Sequence, residues 1–444
     1  MFSILLGSVL LSKPLAAQRP DPLGGLVAEA LRANLGLKTE RLAERQSAAA
    51  VREARGLFLP SLTLATRYSR LDGVPNLGDF VNPAYSALNQ IIGQNRFPTN
   101  LDITLPQRHD SHLELRQPLF NASIFANYSA AKGRHDGQRY ALGAAARRLA
   151  ADVQIAYLNE ASARRAVEIY AASLALVREN ERVAERLAAA GKATPEAIYR
   201  ARADRSDIEQ KFAEARQRDA AAARVVNQIL RRPLDAPVDS IADGALDLPL
   251  TIGPDSAVAL AFQRREELHQ VDAGIRTAQA GVRAATAAFL PSVSLGFDYG
   301  VQGRDVAFVA SQDYWVASIV VSWNLFNSGR DLARRAEARY EVERARTLRQ
   351  DIEDRIALEV RVAYDAAVVA REAIATANDR VEAARRTFEL VRRRYEEGVA
   401  SPIELVDART SLTSAELNRA VTTYGYAIHY VELERAAALR ALDF

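Results

Sequence analysis

The chain has 444 residues, with 58 Lys and Arg against 55 Asp and Glu, so its formal net charge is +3. This near-balance excludes a large basic field of the kind that binds nucleic-acid phosphates. Cysteine is absent and only five histidines occur, which excludes thiolate catalysis, disulfides and cysteine metal sites.

The N-terminus begins with a short apolar stretch at residues 4–11, followed by the small residues Ala16 and Ala17. This length matches the apolar core of a secretory signal peptide, and small residues suit its cleavage. The usual basic end before the core is missing, and Lys13 follows the core instead. We expect residues 1–17 to be a signal peptide for export, with an ordinary helix start as the alternative.

The sequence is duplicated. Residues 30–60 align without a gap on residues 261–291, at an offset of 231. Shorter motifs recur later in the same order: Leu-Phe-Asn at 119–121 and 325–327, and Gly-x-x-Thr/Ser-Pro at 191–195 and 398–402. Such self-similarity predicts one supersecondary unit built twice.

We therefore predict a first structural repeat at 18–233 and a second at 256–444. A linker or equatorial segment at 234–255, rich in Pro, Gly and Asp, joins them. The two repeats would give the protomer a pseudo-twofold axis.

Each repeat begins as a helix and then changes to the alternation of a β-strand. Pro60 and Pro291 end the helices, because proline lacks the N–H that a helix needs. Strand lengths of about 9–11 residues are those of tilted membrane-crossing strands. The predicted strands are 61–70, 112–120, 292–302 and 316–326, and the loops that join them are 71–111 and 303–315.

Very long helical patterns follow each pair of strands. Twelve apolar or aromatic positions at heptad spacing run from Ile356 to Tyr395, and ten of twelve equivalent positions fit between Leu149 and Ala188. Such repeats predict long coiled-coil helices, and a helix from near 330 to 396 would extend roughly 90 Å. The fold class is thus mainly α, with duplicated long helices and four transmembrane β-strands per chain.

Four strands cannot close a barrel, and an open sheet edge in hydrocarbon leaves backbone groups unpaired at several kcal/mol each. If the strands contact the lipid bilayer, several chains must share them. Two chains would supply eight strands and three would supply twelve. A soluble coiled-coil scaffold or interaction protein with two hairpins and no pore is the alternative.

Together these features resemble the TolC family of outer-membrane efflux channels along nearly the whole chain. The resemblance is carried by the duplication, by Phe-Leu-Pro-Ser at 58–61 and 289–292, by the Leu-Phe-Asn motifs, and by the stretch from Tyr395 to Arg409. It implies a homotrimer whose shared 12-stranded β-barrel in the outer membrane continues into a helical tunnel, or α-barrel, across the periplasm.

The same resemblance implies a passive, gated channel for efflux or secretion. It implies a periplasmic adaptor (membrane-fusion) protein and an inner-membrane pump as partners in a tripartite pump. It does not identify the cargo.

The resemblance also implies a gate at the periplasmic end of the tunnel. In that family, acidic residues just after the second tip turn narrow the closed end, and Glu404 and Asp407 occupy the matching positions. Their i, i+3 spacing places both on one helical face, and threefold symmetry would gather six carboxylates in a ring that attracts cations. A solvated acidic helix face is the alternative. The turns themselves would be formed by Gly191, Thr194, Pro195, Tyr395, Gly398, Ser401 and Pro402.

One departure from the family affects this gate. The family's basic residue shortly after the turn glycine, which latches the closed tip, has no match, since the position is Ala400. The first-repeat counterpart of Glu404 is Ala197, with Glu196 beside it. The family's usual latch therefore lacks its basic residue here, and Tyr395 is the remaining candidate for a hydrogen bond at this position, with plain packing as the alternative.

No other motif predicts chemistry. The segment 109–112, His-Asp-Ser-His, lacks a third firm metal ligand, and neither a phosphate-binding glycine loop nor a nucleophile elbow occurs. We therefore expect no catalytic residue, no metal, no cofactor and no nucleic-acid partner.

Overall fold

The structure is a computed structural model, and it describes residues 23–70, 75–103, 108–192, 194–240, 248–303, 312–397 and 399–441. The predicted signal peptide at 1–17 and Gly398 lie outside the described residues.

The elements follow one order twice: two helices, two strands and two long helices, with one extra helix between the strands of the first half. In the first half they are α1 (Gly24–Ala33), α2 (Leu35–Gly56), β1 (Ser61–Tyr68), the extra helix α3 (Gly78–Ile92), β2 (His109–Phe120), α4 (Ala122–Ala189) and α5 (Pro195–Leu230). In the second half they are α6 (Pro254–Arg264), α7 (Glu266–Ala287), β3 (Ser292–Gly303), β4 (Asp313–Ser322), α8 (Arg330–Glu396) and α9 (Pro402–Ala436). The predicted fold class is confirmed.

The four strands form one antiparallel sheet in the order β1-β2-β3-β4. Its register aligns Leu62 with Leu115, Leu115 with Phe297, and Leu295 with Ile319. Because alternate residues share a face, one face of the sheet is mainly apolar and carries Leu62, Leu115, Phe297 and Ile319. The opposite face is more polar, as at Glu114. Within the described residues, the outer edges of β1 and β4 have no strand partner.

The observed strand ends differ from the predicted ones. The last strand ends at Ser322 rather than at residue 326, because its partner Ser292 is preceded by Pro291, which has no N–H to donate. The same strand begins at Asp313, which pairs with Val301. The second strand likewise begins at His109, three residues before the predicted start.

The segment predicted as a loop at 71–111 contains α3, which the sequence reasoning missed. Pro83 lies inside this helix, and an internal proline normally argues against helix. Residues 71–74 and 104–107 of this segment, and 304–311 of the other predicted loop, lie outside the described residues.

The long helices pack through the predicted heptad positions. In α8, Ile356, Val360 and Ala367 are buried in a core with Leu268 and Leu433. In the first half, a matching core forms between α1, α2, α4 and α5; it contains Ala30, Leu37, Val153, Tyr157 and Val226.

Glu160 occupies one of the two heptad positions of α4 that are not apolar in the sequence, and its side chain is only 1% exposed. Burial raises the pKa of Glu160, although its ion pair with Arg164 on the next turn acts in the opposite direction. Arg164 also donates to the Val238 carbonyl oxygen at 2.7 Å. Arg164 therefore pairs with the buried carboxyl group of Glu160 and also hydrogen-bonds to the linker segment 234–255.

Backbone contacts divide the chain into two compact units, each drawn from both sequence halves. One contains the described residues of 1–44, 138–270 and 348–444, and the other those of 45–137 and 271–347. The units of packing therefore differ from the repeats at 18–233 and 256–444, which stay a prediction. No helix in the described part of the chain has the length and apolar character needed to cross a membrane.

Candidate gate at the helical turns

The turn between α4 and α5 depends on a glycine in a left-handed conformation. Gly191 has φ +70°. An L-residue with a side chain would pay roughly 1–2 kcal/mol of conformational free energy in this left-handed conformation. This conformation ends α4, and the Lys192 N–H then donates to the Leu187 carbonyl oxygen at 2.8 Å. Thr194 precedes the first residue of α5, Pro195, whose fixed φ suits a helix start.

The turn between α8 and α9 ends in a capping box. The Glu404 N–H donates to the Ser401 hydroxyl oxygen at 3.3 Å, and the Ser401 N–H donates to a Glu404 carboxylate oxygen at 3.0 Å. Pro402 is the first residue of the helix. This reciprocal pairing satisfies two N–H groups that a helix start would leave unpaired.

Glu404 is therefore partly used as a cap. The backbone hydrogen bond from Ser401 is the main reason that the pKa of Glu404 lies below its ordinary value. The Ser401 side chain and the positive charge of Arg394, whose Nη1 lies 3.7 Å from the carboxylate, act in the same direction. These contacts therefore favour the ionised form of Glu404.

Asp407 lies one turn further along α9 and is exposed, as Glu404 is. Both carboxylates share one side of α9 near its first residue. Their predicted role as a selectivity ring depends on neighbouring protomers and stays a prediction.

A groove separates the α4–α5 turn from the α8–α9 turn, and we call it the tip groove. Its volume is about 750 Å³. Tyr395 is half-buried in its wall beside Phe388, and Thr194 and Pro402 also line it. Further apolar lining comes from Leu176, Val183, Leu187, Leu405 and Val406. Of the predicted turn residues, the structure thus brings Thr194, Tyr395 and Pro402 together around one cavity.

An ion pair that sequence reasoning missed connects α5 to α9 at this groove. Arg409 donates from Nη1 and Nη2 to the two carboxylate oxygens of Asp204, both at 2.6 Å. The side chains are only 7% and 14% exposed, so the pair is both bidentate and largely desolvated. It joins the two helical hairpins beside the residues that were predicted to form the gate.

Arg409 directly follows Ala408 on α9, and both are buried, where an arginine requires a partner. The sequence alone does not mark Arg409 as buried. Its partner, 205 positions earlier in the chain, could not be found from local spacing.

The His-Asp-Ser-His segment is satisfied by its own neighbours. His112 pairs with Asp110 at 3.0 Å, and the Tyr314 hydroxyl donates to the same carboxylate at 3.0 Å. His109 contacts the Ser111 hydroxyl at 2.8 Å. Across the described ranges, no three His, Asp or Glu side chains are grouped as metal ligands.

The architecture is one of long paired helices joined to a four-stranded antiparallel sheet. The solved outer-membrane channel CmeC of Campylobacter jejuni superimposes over 94% of this chain and 85% of its own, with a TM-score of 0.75 at 18% identity. The open-state MtrE channel of Neisseria gonorrhoeae covers 94% and 89%, with a TM-score of 0.72 at 20% identity. At these identities the likeness establishes the fold.

The sequence itself is similar to those of known proteins. Residues 257–439 match the profile of the family described as outer membrane efflux protein. The toluene efflux pump outer membrane protein TtgC of Pseudomonas putida is 27% identical over 198 residues, which cover 42% of this chain and 37% of TtgC. The predicted resemblance to outer-membrane efflux proteins is thus confirmed, and the predicted outer-membrane location agrees with the names of these relatives.

Proposed function

We propose that this chain is the protomer of a homotrimeric exit duct in the outer membrane. The observation that carries the proposal is that, among the described residues, the outer edges of β1 and β4 have no strand partner and lie beside a mainly apolar sheet face. Leu62 and Ile319 on that face are 66% and 69% exposed. In hydrocarbon such a face is stable only when neighbouring chains pair the edges.

A second apolar stripe on α8 supports the same assembly. Leu348, Val362, Val369 and Leu390 recur at multiples of seven residues and are 49–66% exposed. They lie on a different side of α8 from the buried heptad positions. A helix with two apolar stripes requires a helix neighbour on each, and a second copy of the chain can supply it.

Three chains would give twelve strands, and the polar sheet face would then line a lumen. Conduction through such a duct is passive, so it requires no catalytic group. The alternative of a soluble scaffold is not supported, because in water the apolar sheet face would form a large exposed patch.

The gate would lie at the tip turns. In a trimer, Glu404 and Asp407 would contribute six carboxylates around one axis, and outward movement of the helical hairpins would widen the opening. A periplasmic adaptor protein and an inner-membrane pump would complete the pathway. The name of TtgC, an efflux pump outer membrane protein, supports this assignment.

Conductance in planar bilayers tests the duct and its gate together. The purified protein is expected to form cation-selective pores, and Glu404→Gln with Asp407→Asn is expected to reduce the cation-to-anion permeability ratio toward one. Glu343→Gln, an exposed carboxylate toward the other end of α8, serves as the matched control. Absence of pores contradicts the duct, and unchanged selectivity in the double variant contradicts the carboxylate ring.

A further inference from the structure

Two side chains at the start of β2 form a hydrogen-bond network that crosses the sheet. Oδ1 of the Asp110 carboxylate lies 3.0 Å from His112 Nδ1, and it also accepts from the Tyr314 hydroxyl at 3.0 Å. Asp110 and His112 belong to β2 and Tyr314 to β4, so this network spans the intervening strand β3. We call Asp110, His112 and Tyr314 the cross-strand network.

A glycine on β3 makes this reach possible. Gly300 is the register partner of His112 on one side and of Tyr314 on the other. A Cβ on Gly300 would lie 2.4 Å from the His112 Cβ and 2.4 Å from the Ser111 carbonyl oxygen. Glycine in a strand often marks such a close approach. With no side chain between them, the rings of His112 and Tyr314 lie with their centroids 6.5 Å apart.

The cross-strand network lies on the more polar face of the sheet, because register partners share a face. Arg67, the partner of Asp110 on β1, has its Nη2 3.6 Å from Asp110 Oδ2. The other titratable or charged side chains on this face of the described strands are Glu114, Arg116 and Asp298. Two arginines against three carboxylates leave this face with one net negative charge per chain while His112 is neutral.

The hydrogen bond to Asp110 determines where His112 takes up a proton. An ionised carboxylate can only accept, so the hydrogen of this bond is carried by Nδ1 of His112. Nε2 is then the nitrogen that gains or loses a proton. The His112 side chain is 22% exposed, so protons from solvent can reach it. Histidine is the side chain whose charge ordinarily changes between about pH 5 and 8.

We propose that His112 is a proton-dependent selectivity residue on the more polar face of the sheet. This proposal rests on the proposed duct, in which three copies of that face line the lumen. With His112 neutral, the three copies would carry three net negative charges, and protonation of His112 in each chain would bring them to neutrality. The preference of the sheet lumen for cations therefore falls as the solution becomes acidic.

Reversal potentials in planar bilayers test the proposal. Between about pH 8 and pH 5, the cation-to-anion permeability ratio of the unmodified protein is expected to fall about two-fold, and His112→Gln is expected to remove most of this fall. His269→Gln, which replaces a histidine of α7 outside the sheet, is the matched control and should keep the full pH dependence. His112→Lys should give the low ratio already at about pH 8, because lysine is charged there. An equal pH dependence in His112→Gln and in the unmodified protein overturns the proposal.

Nitrogen-15 NMR of histidine-labelled protein in detergent separates this proposal from the proposed function. The ring signals that disappear in His112→Gln are expected to show hydrogen on Nδ1 throughout and a hydrogen gained on Nε2 between about pH 8 and pH 5. A neutral ring with its hydrogen on Nε2, or a ring that stays neutral down to about pH 5, overturns the proposal even if the protein conducts. The absence of pores at every pH overturns the duct, and the selectivity role of His112 with it.

Discussion

The ion pair of Arg409 with Asp204 makes the sharpest prediction about the closed tip. Replacing Arg409 with Met keeps most of the apolar side-chain stem but leaves the Asp204 carboxylate buried without its two hydrogen bonds. Breaking one partner of a buried pair costs about 3 kcal/mol, and about 1.4 kcal/mol corresponds to a factor of ten. If the pair holds the two hairpins together, the ratio of parted to joined hairpins rises roughly 100-fold.

Single-channel recording measures this ratio as the fraction of time spent at high conductance. Arg409→Met is expected to raise that fraction strongly, whereas Arg419→Met, which replaces a half-buried arginine of the same helix, is expected to leave it unchanged. Exchanging the charges, with Arg409→Asp and Asp204→Arg together, is expected to restore most of the closed state. The reasoning is refuted if Arg409→Met behaves like Arg419→Met in a protein with native circular dichroism.

Three further predictions follow from the local structure. Ser401→Ala removes the cap of α9 at a cost of about 1 kcal/mol, so hydrogen exchange of the backbone amides at the start of α9 should become faster. The control variant Ser411→Ala, the same change inside the helix, should leave exchange at the start of α9 unchanged. Gly191→Ala forces a left-handed conformation on alanine at roughly 1–2 kcal/mol, which should lower the melting temperature; an unchanged value contradicts the turn as described. Burial alone would raise the pKa of Glu267, but hydrogen bonds from Arg265 hold that pKa below its ordinary value. The loss of folding stability caused by Arg265→Met should therefore be largest at a pH above the ordinary pKa of a glutamate. The difference from the unmodified protein should shrink as the pH falls through the lowered pKa, and a pH-independent difference would contradict this reasoning.

The long helices and strands could be predicted because each has a period visible within its own residues. The heptad positions of α8 from Ile356 onward define one face of one helix, and the alternating apolar residues from Val293 onward define one face of one strand. The last strand was predicted too long because its end depends on Pro291 of the partner strand, and a periodic pattern carries no information about a partner. The helix α3 was missed because Pro83 lies inside it, and because the contacts of Asn82 and Asn89 with Leu101 and Phe97 leave no periodic pattern in the sequence.

The candidate site was predictable to the same limited extent. The residues of the second turn, Ser401 and Pro402, belong to one short motif with Glu404 and Asp407, so their proximity follows from local spacing. The capping role of Glu404 could also have been found, since Ser-x-x-Glu before an apolar run is its signature. The pairing of Arg409 with Asp204 joins the two halves of the chain, and only the folded protein brings them together.

The account depends most on the claim that neighbouring chains share the unpaired edges of β1 and β4. Cryo-electron microscopy of the detergent-purified protein tests this claim directly. The account predicts particles with threefold symmetry, in which β1 of each chain pairs with β4 of the next around an open lumen. A monomer whose sheet edges stay unpaired, with no pore, would contradict it.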